Sequence, residues 1–217
     1  KLILSGVVYN EMKGAFSSPD EVLEREIMNH LFPDTTYGCE SGGDPKNIPD
    51  LTYENFLNFH RTYYHPSNSY IYLYGNMDME EKLAFLDEHY LSHFDYLDVD
   101  SVIQEQKAFG ACQDVTLEYP VAENEGEEDN TYLSYNMVVG NAADSQMAMA
   151  FEVLDYALLS APGAPLKQAL LDVKAGKDVY GSYDDGILQP YFTVIAKGSN
   201  PDRKEEFVSV IRQVLGD

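Results

Sequence analysis

Residues 4–20, LSGVVYNEMKGAFSSPD, place a carboxylate among apolar side chains, and this combination limits how the chain can fold. On a helix with about 100° between successive residues, Glu11 shares a stripe with three apolar residues, Leu4, Val7 and Val8. A carboxylate removed from water has to be neutralised, paired with a cation or bound to a metal. Two interpretations stay open: burial of Glu11 with a partner, or a side chain that reaches solvent near the helix end.

Length and composition describe a globular chain with a substantial core. The chain has 217 residues, of which 44% are hydrophobic and 12% aromatic, which is enough for one large domain or two smaller ones. No stretch approaches the roughly 18–20 apolar residues of a membrane span. We therefore expect no membrane partner.

An excess of acidic residues excludes a further class of partner. The chain has 37 Asp and Glu against 14 Lys and Arg, a net charge of −23. Nucleic acids and anionic membrane surfaces attract clustered Lys and Arg, which this chain lacks, so we expect no nucleic-acid partner. The same field would steer basic or peptide-like partners, although acidity that keeps the protein in solution is the simpler interpretation.

Two isolated cysteines indicate the kind of cellular compartment in which the protein works. Cys39 and Cys112 lie far apart and form no CxxC or metal-ligand spacing. Isolated thiols fit a reducing compartment, so we predict a cytoplasmic location in which both act as small buried hydrophobes. The first residues, KLILSGVV, lack an initiator Met and a signal-peptide pattern, and a helical pattern is already under way there. We therefore expect a piece of a longer protein.

Hydrophobic periodicity and turn residues predict a mixture of helices and strands. The predicted helices cover residues 4–14, 17–32, 52–64, 79–94, 143–160, 163–175 and 200–215. The predicted strands cover residues 69–75, 112–120, 132–139, 178–183 and 189–196, with hairpins around the acidic turn 121–130 and around residues 184–186. The long loop 32–50 is expected to be packed, because aromatic and apolar residues interrupt its Pro, Gly and Asp.

No other motif specifies chemistry. His89 and His93 lack the Glu of an HExxH or HxxEH motif, and their position at a helix end favours a dipole role. His30 is expected at the margin of the core rather than in a metal site. The acidic segment 123–129 lacks EF-hand spacing, and neither a GxSxG nor a Cys-His signature occurs. No catalytic or cofactor-binding residue is assigned, and only Glu11 stands out.

Two long segments resemble the pitrilysin/insulinase family of zinc metallopeptidases. They are GVVYNEMKGAFSSPD (6–20) and LFPDTTYGCESGGDPKNIPDLTYENFLNFHRTYYHPSNSYIYLYGNMD (31–78), and both are similar to the branch that contains presequence protease and falcilysin. From about residue 111 onward, only the order of the elements is similar. The resemblance implies an α+β fold of the α/β-roll type, with helices on a mostly antiparallel sheet.

The resemblance also implies a division into two partial domains. Residues 1–95 would be the C-terminal half of the first, zinc-bearing peptidase domain, and residues 96–110 a connector. Residues 111–217 would be the N-terminal half of the second peptidase-like domain. The remaining domains of the same parent chain would be partners of this piece.

In this family an inverted HxxEH motif supplies two His ligands and a general base, and a distant Glu in the segment NEMKG completes the Zn²⁺ site. The resemblance therefore implies that Glu11 is the distal zinc ligand, with water in the fourth position. No HxxEH motif occurs in residues 1–217, and the family's oxyanion-stabilising Arg and Tyr lie beyond them. One ligand cannot hold catalytic zinc, so we expect the isolated chain to bind no Zn²⁺ and to be inactive.

Two functions remain open. In the first, the chain is a fragment of a zinc-dependent metalloendopeptidase that degrades oligopeptides or unfolded peptides. In the second, it belongs to a non-catalytic member of the same superfamily that binds peptides or has a structural role. An HxxEH motif upstream of Lys1 would favour the peptidase. A third interpretation, an acidic interaction module unrelated to proteolysis, would require the long resemblance to be accidental.

Overall fold

The computed structural model describes residues 3–121 and 126–216, which form two compact units. The larger unit joins the residues up to 43 to those from 104 onward, and the smaller one covers residues 44–103. None of the described helices is long and apolar enough to cross a membrane. The division at the connector 96–110 concerns a longer architecture and stays a prediction.

The described helices reproduce the predicted order, with earlier ends for several of them. In chain order they are α1 (Val7–Ala15), α2 (Pro19–Leu31), α3 (Tyr53–Tyr63), α4 (Met79–His89), α5 (Ser145–Asp155), α6 (Pro165–Asp172) and α7 (Lys204–Leu215). A π-helical turn, Tyr156–Ser160, follows α5, and a 3₁₀ turn, Leu91–His93, follows α4. Together with the sheet described next, they confirm an α+β fold.

The larger unit is built on an antiparallel sheet of three strands. These are β1 (Thr131–Val138), β2 (Asp178–Asp184) and β3 (Tyr191–Ser199), in the order β1-β3-β2. The hairpin of β2 and β3 confirms the strand pair predicted from residues 178–183 and 189–196. All five residues from Phe192 to Ala196 are buried, as expected for a central strand that is covered on both faces.

One face of the sheet and helices α5, α6 and α7 enclose the main core. Leu166 and Leu170 of α6 lie four residues apart and are fully buried, as is Ile211 of α7. This spacing turns one stripe of each helix towards strand residues such as Val194. The helices predicted at residues 163–175 and 200–215 are therefore confirmed, and each buries one stripe of its surface.

A single carboxylate fastens α2 to the opposite, more polar face of the sheet. Asp20, in the first turn of α2, accepts hydrogen bonds from Lys197 Nζ at 2.9 and 3.1 Å. It also accepts from the hydroxyls of Tyr132 at 3.4 Å and Tyr180 at 3.3 Å. The Lys197 hydrogen bond lowers the pKa of Asp20, while burial raises the pKa of Tyr180 to about 12. One residue from each strand thus contacts the same carboxylate.

The loop that follows α2 is packed at its start, as predicted. Phe32 is fully buried, and its ring meets those of Tyr37 and Tyr191 edge to face at 5.9 and 6.2 Å. The Tyr37 hydroxyl accepts a hydrogen bond from the Leu188 N–H at 3.1 Å. These contacts attach the loop to the β2–β3 hairpin.

The smaller unit has helices but no buried residue. Thr52 and Asn55 form a capping box that starts α3, which confirms the predicted cap. The strand predicted at 69–75 is wrong: the segment pairs with no strand among the described residues. Tyr72 and Tyr74 are 84% and 85% exposed. Period-two alternation indicates which side chains share a face, but a strand also needs a hydrogen-bonded neighbour.

A second predicted strand, residues 112–120, is also wrong. These residues form no strand, so the predicted hairpin with 132–139 does not form, and β1 pairs with β3 instead. Tyr119 still approaches β1, because its hydroxyl donates to the Asn130 carbonyl and its ring lies 5.8 Å from that of Tyr132. The acidic turn predicted between the two segments includes residues 122–125, which lie outside the described residues.

The prediction that both cysteines are buried is wrong as well. Cys39 and Cys112 are exposed free thiols. Cys39 follows a 3₁₀ turn, and Cys112 lies in the unpaired segment 112–120. Neither position belongs to a helix or strand that faces the core, so the apolar character of the thiol does not decide its burial.

We expect Asp20→Asn to destabilise the chain by about 1 kcal/mol at pH 7, because it removes an ion pair whose members are 44% and 45% exposed. The folded-state pKa of Asp20 is lowered from its ordinary value of 3.8, so its contribution is present above that pH. The contribution is lost as the pH falls through the folded-state pKa. Urea denaturation of both proteins between pH 7 and pH 2 measures this. A difference that stays constant across the range would contradict the role of Asp20.

Candidate functional site

A cavity runs beside β2, which is an edge strand of the described sheet. Its volume is about 470 Å³, within the roughly 300–1,000 Å³ range of ligand pockets. It lies between β2, the π-helical turn and the start of α6. The lining residues are Leu159, Ser160, Ala161, Gly163, Ala164, Lys167, Gln168, Leu171, Tyr180 and Gly181.

A change of helical pitch shapes one wall of the cavity. After Asp155 the backbone widens, and the N–H of Ala161 returns to the carbonyl of Tyr156 at 2.7 Å. π-Helical turns are rare in proteins, and those that occur are often found at functional sites. The segment 162–165, Pro-Gly-Ala-Pro, then redirects the chain into α6. Gly163 adopts a φ of 74°, which glycine reaches without steric cost.

At Gly181, which has no side chain, the main chain of β2 faces the cavity directly. A methyl group at this position would lie 2.6 Å from Leu159 Cδ1 and closer still to the carbonyl oxygen of Thr193. No side chain fits there without a movement of β3. Since Gly181 lines the cavity, the main chain of β2 forms that part of its wall.

Acidic groups lie at both ends of β2. Asp178 accepts a hydrogen bond from the N–H of Val179 at 2.8 Å, and its Oδ1 lies 3.7 Å from Lys167 Nζ. Asp184 ends the strand and Asp185 follows it. The edge is therefore flanked by negative charge, with Lys167 as the cation that lines the cavity.

This arrangement can bind an extended polypeptide. An edge strand carries N–H and C=O groups that have no strand partner. A peptide that lies alongside such a strand forms main-chain hydrogen bonds, and pockets next to the strand accept alternate side chains. The edge of β2 and the cavity beside it provide both features.

The structure places Glu11 on an exposed face of α1. This helix buries none of its residues, and Val7 is 86% exposed. Glu11 itself is exposed, and neither a hydrogen bond nor an ion pair joins its side chain to another described residue. Of the two interpretations left open by the sequence, the described residues show the exposed one, and the partner predicted for Glu11 stays a prediction. The apolar stripe and the carboxylate face solvent together.

Glu11 could serve as one ligand of a zinc ion, but the described residues do not form a complete zinc site. Within the ranges 3–121 and 126–216, no group of three or more His, Cys, Asp or Glu side chains is arranged to hold a metal. A free, exposed carboxylate is a suitable ligand for Zn²⁺, which needs further protein donors. His30, also exposed, contacts the carbonyl of Glu26 through Nδ1 at 2.7 Å, and His65 Nδ1 accepts from the Ser67 N–H at 3.2 Å.

The sequence predictions did not identify the cavity beside β2. They placed a break at Pro-Gly-Ala-Pro, residues 162–165, and a strand at 178–183, which are two of its walls. A glycine in the middle of a predicted strand indicates a close backbone approach, and Gly181 was such a signal. The cavity itself depends on how α6 and the π-helical turn lie against β2, which neither segment encodes alone.

Residues 50–217 match the family described as the Peptidase M16 inactive domain. The chain belongs to the M16 peptidase family. It is 48% identical over its whole length to Protein HypA of Clostridium perfringens, and 37% identical over 97% of its length to presequence protease 1 of Arabidopsis thaliana. It spans 22% and 20% of these proteins, or about a fifth of their length. These matches confirm the resemblance found in the two sequence segments.

Two solved structures share the fold of this M16 chain at 18% identity. One is a putative M16-like peptidase from Alicyclobacillus acidocaldarius, with a TM-score of 0.55 over 95% of this chain and 49% of that one. The other is a protease from Helicobacter pylori, with a TM-score of 0.57 over 96% of this chain and 49% of that one. At this identity the likeness concerns the fold alone.

We expect Gly181→Ala to destabilise the chain by about 2 kcal/mol, because the added methyl group overpacks the contact of β2 with Thr193 and Leu159. Gly110→Ala is the matched control, since nothing lies within 4 Å of a methyl group there, and we expect a change within about 0.5 kcal/mol. Equilibrium urea denaturation measures both. Equal stabilities of the two variants would refute the close approach at Gly181.

Proposed function

We propose that this chain is part of a zinc-dependent M16 metalloendopeptidase that degrades oligopeptides or unfolded peptides, and that it supplies a peptide-binding surface. The observation that carries the proposal is the edge of β2 beside a 470 Å³ cavity. It lies in the region that matches the family described as the Peptidase M16 inactive domain. Relatives named presequence protease favour a peptide as the ligand.

In the proposed complex an extended peptide adds to β2 as a further antiparallel or parallel strand. Its main chain forms hydrogen bonds with the outward backbone groups between Tyr180 and Asp184. One side chain of the peptide enters the cavity at Gly181. The net charge of −23 and the acidic groups at both ends of β2 favour a basic peptide, because opposite charges speed encounter and fix orientation.

Glu11 is proposed as the distal Zn²⁺ ligand of the same peptidase. Bound zinc would act as a Lewis acid that activates water for attack on a peptide bond. The part of Glu11 is to present a carboxylate oxygen from an exposed helix face, free of competing partners in the described structure. The other ligands and the general base belong, in this proposal, to the remaining domains of the parent chain.

The second candidate is a non-catalytic M16 protein that binds peptides or has a structural role. The description of the matched domain as inactive favours it. Both candidates use the surface at β2, and they differ in whether an HxxEH motif completes the site at Glu11. The cytoplasmic location, the α/β-roll assignment and the division into residues 1–95, 96–110 and 111–217 remain part of the proposal.

We expect a fluorescent, lysine-rich peptide to bind the full-length protein, and Ser160→Trp to weaken that binding about tenfold by filling the cavity. Ser209→Trp is the matched control, because Ser209 is an exposed serine on α7. Fluorescence anisotropy measures the dissociation constants. The same peptide with alternate amides N-methylated should bind more weakly, since it cannot donate main-chain hydrogen bonds. Equal affinities for both peptides, or for both variants, would exclude strand addition at β2.

We expect Glu11→Gln to abolish stoichiometric zinc and peptidase activity in the full-length protein while the fold persists, because a neutral amide is a poor ligand for Zn²⁺. Glu88→Gln, at an exposed position of α4, is the control and should keep both. Metal analysis and circular dichroism provide the measurements. Full zinc content in the Glu11→Gln protein would overturn the ligand role.

A further inference from the structure

The helix that carries Glu11 is held in place by side chains that are only partly buried. α1 buries none of its residues. Met12 and, just after the helix, Phe16 are half-buried, and they lie four residues apart on one face. The backbone continues this register, because the Phe16 N–H bonds to the carbonyl of Met12 at 2.9 Å. Tyr9 and Ala15 of α1 are half-buried as well, so the contacts of Met12 and Phe16 are two of those that position the helix.

The Met12 side chain lies directly over Gly42. A methyl group at Gly42 would lie 2.8 Å from Met12 Cε and closer still to its sulfur. The thioether thus occupies the space that any side chain at position 42 would need. The next residue, Gly43, has a φ of 89° and donates its N–H to the Glu40 carbonyl at 3.1 Å. The glycine pair forms a turn whose first member leaves room for Met12.

Phe16 supplies the second contact. The guanidinium carbon of Arg25, on α2, lies 3.8 Å from the centroid of the Phe16 ring, which is a cation–π geometry. Arg25 is held in turn by Glu26, at 2.9 Å from Nη2 and 3.2 Å from Nε. Gly42 and Arg25 are therefore two of the contacts on this face, one with α1 and one with the residue that follows it.

We infer that Met12 and Gly42 position Glu11, so that the carboxylate stands where a zinc ligand is needed. This inference rests on the proposed function of Glu11. Glu11 immediately precedes Met12, and its side chain leaves the helix about 100° away, so a shift or rotation of α1 at the Met12 contact moves the carboxylate. Metal and catalytic sites require their groups within about 0.5 Å of the productive position. A contact that is weak in terms of stability can therefore be decisive for the metal.

Gly42→Ala in the full-length protein tests this inference. The methyl group displaces the Met12 side chain, and we expect zinc to bind about tenfold more weakly, as for other groups that orient a ligand from outside the coordination shell. The midpoint of thermal unfolding of the zinc-free protein should change little. The end of the Met12 side chain is flexible, and α1 has no fully buried residue. Competition with a chelator measures the zinc dissociation constant, and thermal unfolding is followed by circular dichroism.

Gly14→Ala is the matched control. It makes the same substitution on α1 itself, where nothing lies within 4 Å of the new methyl group. Its zinc affinity should equal that of the original protein. An equal loss of affinity in Gly14→Ala and Gly42→Ala would show a general sensitivity of α1 and would overturn the role of Gly42.

Met12→Ala separates positioning from a local structural defect. It removes the other half of the same contact and should also weaken zinc binding. The double variant Met12→Ala with Gly42→Ala should lose no more affinity than the worse single variant, because both substitutions remove one contact. Additive losses would contradict the inference.

The outcomes for Glu11 and Gly42 are distinguishable. Full zinc in Glu11→Gln would refute the proposed function and the inference with it. Loss of zinc in Glu11→Gln, combined with unchanged zinc affinity in Gly42→Ala, would refute the inference alone.

Discussion

The pairing of β3 with a strand on each side is the constraint on which the larger unit depends. β3 is the one described strand with hydrogen-bonded neighbours on both edges, and five successive residues of it are buried. Its backbone polar groups are satisfied by β1 and β2, so the strand can be buried without the cost of unpaired donors and acceptors. Different helices then pack on the two faces of the sheet. Helices α5–α7 cover the apolar face, and α2 is fastened to the polar face by Asp20.

The same pairing creates the candidate peptide site. With β3 in the centre, β2 becomes an edge, and its outward backbone groups have no strand partner in the described sheet. Gly181 brings this edge close to Leu159 and Thr193, while the π-helical turn and α6 form the opposite wall. The surface proposed to bind peptides is therefore a consequence of strand order and not of a separate motif.

Local signals in the sequence predicted much of this structure. The capping box of α3, the hairpin of β2 and β3 and the helices of the second half were recognisable, because caps, turns and periodicity act over a few residues. Two segments, 69–75 and 112–120, had strand patterns without becoming strands. Alternation reports which side chains share a face, whereas a strand also needs a neighbour, which a local pattern does not specify. The burial of Cys39 and Cys112 failed for a related reason, because burial depends on what packs over a residue.

Glu11 shows which features follow from the local sequence and which depend on the tertiary structure. The order of residues around it was enough to place it in a helix and to connect it with a family of zinc peptidases, since both depend on short-range pattern. Helical spacing put it on an apolar stripe, but spacing does not say what covers a stripe, and in the described structure the stripe is exposed. The contact of Met12 with Gly42 joins residues thirty positions apart. Only the folded chain brings them together, because that contact depends on the path of α2 and of the loop after it.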